Sequence, residues 1–175
     1  NPDVAAGGHP NISTGKKGDK FGVPWTEAED LYAEAATLPG IRVVGVDVHI
    51  GSQIGDLVPM RAAFEKVVGL AQRLRAAGHD IARIDVGGGL GIPYKHDNAP
   101  PPEPLAYAKI VRDRVPGLDC GLILAPGRLI AGNAGILVTQ VEYVKLGAGK
   151  SFVIVDAGMN DLIRPTLYEA HHDVQ

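Results

Sequence analysis

The chain is poor in the residues that would place it outside a cell or in a membrane. A single cysteine, Cys120, in 175 residues allows no intrachain disulfide, which argues against a secreted, disulfide-stapled scaffold and makes the cytoplasm the expected compartment. No run approaches the roughly 20 uninterrupted apolar residues of a membrane span. The richest stretch, Gly121 to Val138, is broken by Pro126 and Arg128. Asn1-Pro2-Asp3 offers neither an initiator Met nor the charged and apolar regions of a signal peptide, so the chain is expected to start inside a longer one. No basic run exceeds Lys16-Lys17, and the net charge of -3 is spread along the sequence. Nucleic acids and anionic membranes are therefore not expected partners, which leaves small polar or anionic metabolites. Aromatics make up only 5% of the chain, and Trp25 and Tyr94 stand alone, with no stacking series around them.

What is present is glycine, 23 residues of it, in an otherwise ordinary globular composition that is 45% hydrophobic. After a Gly- and Lys-rich loop from Gly7 to Gly22, Thr26-Glu27-Ala28-Glu29 has capping-box spacing and predicts a helix to about Leu38, stopped by Pro39-Gly40. A Val- and Ile-rich strand is expected over Ile41 to Ile50. An amphipathic helix is expected from about Pro59 to Ala77, with Ala63, Phe64, Val67, Val68, Leu70, Ala71 and Leu74 on its apolar face and Gly78 at its end. The order then repeats, with a strand at Ala82 to Val86, a Pro-rich loop from Ala99 to Pro104, a helix at about Leu105 to Val115 and a strand at Gly121 to Ala125. Repeated strand, loop and helix indicate βα units with parallel strands. About four such strands are visible, counting one that would end near Asn1. A closed (β/α) barrel needs eight, so the expected fold is α/β, the second half of a TIM-like barrel.

Beyond Ala134 the pattern changes. Ile136 to Lys145 and Ser151 to Asp156 are β-branched and separated only by Leu146-Gly147-Ala148-Gly149, which predicts antiparallel pairing. Residues 1–133 are thus expected to be barrel, and 134–175 the beginning of a β-rich domain. Glu142 to Lys145 is expected to alternate as a half-exposed strand does.

Four places carry chemistry. Gly87-Gly88-Gly89-Leu90-Gly91 directly follows a strand, where backbone N–H groups can converge on an anion without a Cβ in the way; the same run also suits a plain tight turn. In Asp47-Val48-His49-Ile50-Gly51-Ser52-Gln53, His49 emerges at a strand end, where it can stack on a flat ring or move a proton, and Ser52 offers a hydroxyl; a lone His there is also often structural. In Ala125-Pro126-Gly127-Arg128 a turn presents a guanidinium fork suited to phosphate or carboxylate, or to a surface ion pair. Arg164 and Tyr168 can share a carboxylate, each charge-assisted bond contributing about 1.5–3 kcal/mol, or can belong to a solvated loop. Cys120 reads as core, and His171-His172 lacks companions at metal spacing, so no metal site is expected.

These residues, with Asn1-Pro2-Asp3-Val4, His9 to Gly15, Lys20-Phe21-Gly22, Asn133-Ala134-Gly135, Val141 to Lys145 and Met159 to Pro165, resemble the diaminopimelate decarboxylases. These are fold-type III pyridoxal-phosphate (PLP) enzymes of the group that includes ornithine and arginine decarboxylases. The resemblance runs end to end and implies decarboxylation of meso-diaminopimelate to L-lysine in a homodimer with shared active sites. It implies that His49 stacks on the cofactor ring and that Ser52, Gly87, Gly88, Gly89, Gly127 and Arg128 hold its phosphate. Arg128, Arg164 and Tyr168 would bind substrate carboxylates. It also puts the Schiff-base lysine upstream of Asn1 and the catalytic cysteine downstream of Gln175, so this chain carries no catalytic residue and is expected to be inactive and to self-associate on its own. One departure stands out: the family's turn opens with Glu, which keeps the pyridine nitrogen protonated, and here the residue is Ala125. Another decarboxylase of the group and a catalytically impaired homologue are the alternatives.

Overall fold

The computed structural model describes residues 1–7, 13–95, 100–114 and 117–175. His9, Pro10, Asn11 and Ile12 of the quoted motifs lie outside them, as do Ala99 and Val115, the expected ends of a loop and a helix.

Contacts divide the chain into two units. The first takes in Asn1–Ile92 and Pro100–Gly132, the second Pro93–Ala99 and Asn133–Gln175. The first is α/β, with three parallel strands, β1 (Gly45–Asp47), β2 (Arg83–Asp85) and β3 (Gly121–Ile123), hydrogen-bonded in that order. Helix α2 (Leu57–Ala76) connects β1 to β2 and α3 (Pro104–Arg114) connects β2 to β3.

The strands are shorter than their β-branched runs. Only Gly45↔Arg83, Val46↔Ile84 and Asp47↔Asp85 pair in the first ladder, and Ile41 to Val44 form no strand. A strand's length is set by its partner, and β2 offers only three residues on each side. Residues 1–7, where a preceding strand was expected to end, contain no strand themselves. Val4 donates its N–H to Gly15 O at 2.7 Å, and Lys66 on α2 clamps the segment through Pro2 O at 2.5 Å.

Helix α2 is the anchor of the core. Asp56 caps it by accepting from Val58 N–H at 2.9 Å, and Met60, Ala63, Phe64, Val67, Leu70, Ala71 and Leu74 are buried along one face. Gly78, at φ +95°, ends it as expected. Just before that stop, Arg75 donates to Ile81 O, Leu118 O and Asp119 O, tying the helix end to the chain entering β2 and β3. The capping box at Thr26 is not used. Pro24 launches a 3-10 turn (Trp25–Glu27), closed by Glu27 N–H to Pro24 O at 2.9 Å, so α1 (Ala28–Thr37) starts late and without a side-chain cap. Trp25 is not isolated, because the Arg73 guanidinium lies 5.6 Å over its ring while also pairing with Glu29 at 2.6 Å.

Tyr107 of α3 makes an edge-to-face contact with Phe64, and its hydroxyl is buried with no hydrogen-bond partner among the described residues. Burial, and secondarily the Asp85 carboxylate, pushes its pKa up to about 12. The folded state therefore holds the phenol neutral while the unfolded chain ionises near its ordinary value of about 10. The stability that this group contributes is complete below pH 10 and is lost as the pH rises from about 10 to about 12. Tyr107→Phe is expected to remove that alkaline component from the urea midpoint and, at neutral pH, to gain up to about 1 kcal/mol by deleting an unpaired polar atom.

Beyond β3, a short helix that the sequence reading did not anticipate, α4 (Gly127–Ala131), follows Pro126. In the second unit, β4 (Val141–Lys145) and β5 (Phe152–Val155) pair antiparallel with an irregularity between Val141 and Tyr143, and α5 (Arg164–Tyr168) follows. Glu142 to Lys145 is exposed on both faces rather than alternating. A two-stranded ribbon has no second layer to bury one face against. Ile136 and Leu146, outside the ribbon, are about 89% and 80% exposed.

Candidate functional site

The parallel register sets the C-terminal ends of β1, β2 and β3 side by side, with Asp47 beside Asp85 and Asp85 beside Ile123. Hydrogen bonding continues past the strands. Val48 N–H donates to Asp85 O at 3.0 Å, Val86 N–H to Ile123 O at 3.1 Å and Ala125 N–H to Gly87 O at 2.8 Å. The three turns that follow are therefore zipped together, backbone against backbone.

This contact gives the glycines a reason that the sequence reading did not supply. A Cβ on Gly87 would run into Val48 O, one on Gly88 into the carbonyl of Ala125, and one on Gly89 into Gly51 O. Gly87 and Gly89 also lie at φ +69° and +94°, in the left-handed region. The glycine turn is buried at Gly87 and Gly88, and its neighbours occupy the space that side chains would have taken.

The donors expected to face an anion are not all equally available. Gly87 N–H is used by Asp85 Oδ1 at 2.8 Å, and Gly127 N–H by Ala125 O at 2.8 Å. Gly88 N–H reaches only His49 Nδ1, at 3.4 Å, and Gly89 N–H has no acceptor among the described residues. Of the expected donors, the Gly88 and Gly89 N–H groups are thus the least committed, and Ser52 is half-buried. Arg128 is joined to the cluster by Gln53, whose Oε1 accepts from Arg128 Nη1 at 3.2 Å.

His49 is exposed at the mouth of β1 and is fixed at its backbone, where Thr14 Oγ1 donates to its carbonyl at 2.7 Å. It lines an open cleft with Asn1, Pro2, Thr14, Phe21, Gly22 and Asp47. Partial burial, and then the neighbouring Asp85 carboxylate, raises the Asp47 pKa, and His49 opposes the shift.

In the second unit, Arg164 opens α5 and Tyr168 closes it, one turn apart. The Arg164 guanidinium lies 4.9 Å over the Tyr94 ring and 3.1 Å from His172 Nε2, and Tyr94 meets His172 edge to face with centroids 6.3 Å apart. Tyr94 and His172, set aside on sequence grounds, are thus the groups that hold Arg164. No sequence signal links them, since they are distant in the chain. Among the described residues no three His, Cys, Asp or Glu side chains gather to hold a metal, and no helix is long and apolar enough to cross a membrane.

A PLP molecule presents two demands, an anion cradle and a partner for its ring nitrogen. The close-packed turns, with the Gly88 N–H engaged only by His49 Nδ1 at 3.4 Å and the Gly89 N–H without an acceptor among the described residues, suit the first. For the second, the turn that contributes Arg128 has Ala125, whose methyl group offers neither charge nor hydrogen bond.

Residues 1–132 match the family model described as the pyridoxal-binding domain of pyridoxal-dependent decarboxylases. Diaminopimelate decarboxylase of Pseudomonas fluorescens is 51% identical over 174 residues, which is 99% of this chain and 41% of that protein. The enzyme of the same name from Aquifex aeolicus is 50% identical, over 99% and 41% respectively. The crystal structure of diaminopimelate decarboxylase from Helicobacter pylori complexed with L-lysine superposes with a TM-score of 0.90 at 44% identity, covering 99% of this chain and 43% of that one. The chain spans about two-fifths of the length of the relatives it matches.

Proposed function

The chain belongs to the pyridoxal-dependent decarboxylases, and from that premise we propose that the whole protein removes carbon dioxide from the D-centre of meso-diaminopimelate, leaving L-lysine. The observation that carries the proposal is the close backbone packing of three successive strand-end turns, which leaves no room for a side chain at Gly87, Gly88 or Gly89.

When bound, PLP supplies the electron sink for the carbanion left by loss of carbon dioxide. The residues of this chain do the holding. His49 would lie against the ring. Ser52 and the Gly87 to Gly89 turn would grip the phosphate, with Gly88 and Gly89 as the donors and Gly87 shaping the bend. Gly127 would open the short helix that carries Arg128, and Arg128 would neutralise an oxyanion with a planar fork. Arg164 and Tyr168 would receive substrate carboxylates, with Tyr94 and His172 holding the Arg164 guanidinium in place.

In this reading residues 1–133 are part of a (β/α)8 barrel and 134–175 the beginning of a β-rich domain. The protein works in the cytoplasm as a homodimer, with the Schiff-base lysine and the catalytic cysteine supplied from outside this chain. The test is a substrate profile of the full-length protein with PLP, in which meso-diaminopimelate is expected to exceed ornithine, arginine and lysine by on the order of a hundredfold in kcat/KM, because unpaired buried groups penalise substrates lacking the second carboxylate. A preference for ornithine or arginine would move the assignment to another member of the group. Full PLP occupancy without turnover of any of them would make the protein a catalytically impaired homologue.

A further inference from the structure

Gln53 belongs to a motif whose histidine and serine have roles, yet it has none of its own. It sits at φ +57°, in the left-handed region where a glutamine side chain is strained and Gly or Asn would be easier. The side chain answers for that strain by making three contacts at once. Its Nε2 donates to Ile92 O at 2.5 Å, while its Oε1 accepts from Ile92 N–H at 3.3 Å and from Arg128 Nη1 at 3.2 Å.

The chemistry of the partners fixes which end of the carboxamide is which. A carbonyl can only accept, and an amide N–H and a guanidinium can only donate, so one orientation satisfies all three. A carboxylate would lose the bond to Ile92 O, and a shorter amide could not span both neighbours. The two loops do not depend on this side chain for their register, because Ile54 N–H donates to Gly89 O at 2.8 Å and Gly91 N–H to Ile54 O at 3.1 Å.

We infer that Gln53 is a positioning residue: its carboxamide, clamped by the Ile92 backbone, aims the Arg128 guanidinium at the oxyanion held by the three turns. The inference rests on the reading of Arg128 as an oxyanion ligand given above. It adds a residue that touches neither cofactor nor substrate and acts through Arg128 alone.

The test uses the full-length protein in four forms, the parent, Gln53→Ala, Arg128→Ala and the double variant, with Gln53→Asn as a second probe. Asparagine tolerates the left-handed backbone and keeps an amide but is one methylene too short, so it reports on reach even where alanine folds poorly. Three quantities are measured: the dissociation constant of PLP from the apoprotein by absorbance titration, KM and kcat for meso-diaminopimelate, and the apoprotein melting temperature.

Either Gln53 variant is expected to weaken oxyanion binding about tenfold, the usual scale of one hydrogen bond to a charged group. A loss in PLP affinity identifies the oxyanion as the phosphate, and a rise in KM with kcat kept identifies it as a substrate carboxylate. In the Arg128→Ala background the same change is expected to add nothing. Equal losses in both backgrounds, or a change confined to the melting temperature, would mean that Gln53 is only structural and would overturn the inference. So would a loss on Arg128→Ala with none on the Gln53 variants. If Arg128→Ala itself leaves PLP affinity and KM untouched, the oxyanion reading of Arg128 fails, and the inference falls with it.

Discussion

Ala125→Glu in the full-length protein is expected to raise kcat on the order of a hundredfold, the scale on which a single preorganised electrostatic group acts. The resemblance places a glutamate at this position in relatives, facing the pyridine nitrogen of PLP, where an adjacent negative charge favours the protonated ring. A methyl group exerts no such field. The backbone is ready for the change, since Ala125 N–H is bonded to Gly87 O and its carbonyl accepts from Gly127 N–H, both at 2.8 Å. Position 125 is also exposed, so a longer side chain displaces nothing in the core. The comparison is of turnover at saturating PLP, with cofactor occupancy checked by absorbance. Equal turnover of the two forms with PLP bound would show that this protein does not use a carboxylate at that position.

Gly88→Ala is expected to cost about 3 kcal/mol of stability, the upper end for forcing one methyl group into filled space. The obstacle is the Ala125 carbonyl, which is backbone and cannot rotate aside as a side chain would. The residue's own φ lies outside the left-handed region, so the effect isolates sterics from backbone strain. Relief requires β2 and β3 to part at their C-terminal ends, which stretches the Ala125 N–H to Gly87 O bond and opens the anion cradle. PLP affinity is therefore expected to fall by at least about tenfold for each 1.4 kcal/mol transferred to binding. Gly127→Ala is the control, because a Cβ there meets nothing within 4 Å. It is expected to be neutral, or to gain up to about 1 kcal/mol in the helix. Urea unfolding and PLP titration of both variants check the pair, and similar losses at the two positions would contradict the packing account.

Much of the fold was legible where structure is local. Helix α2 could be read from the spacing of Ala63, Phe64, Val67, Leu70, Ala71 and Leu74, all buried, while Val68, expected on the same face, is half-buried at its edge, because a helix satisfies its hydrogen bonds within itself and shows its face as a period. The strands were placed correctly but drawn too long. Ile41 to Ile50 contains only the three residues Gly45–Asp47 as strand, since a ladder's length depends on a partner nearly forty residues away. Thr26 had the residue type and spacing of a cap, and Pro24 moved the helix start past it.

The candidate site divides in the same way. The sequence by itself determined that glycines, a histidine, a serine and an arginine stand at successive strand ends, because βα order and Gly or Pro punctuation are written in consecutive residues. The departure at Ala125 was also visible there, though only against the family pattern. Only the tertiary structure decided which groups can act. It committed the Gly87 and Gly127 N–H groups to internal acceptors, gave Gly88 its steric necessity through Ala125, and joined Gln53 to Arg128 across 75 positions. The physical reason is that a backbone donor has one proton and a carbonyl occupies one volume, and which neighbour claims either is settled by strands brought together from distant parts of the chain.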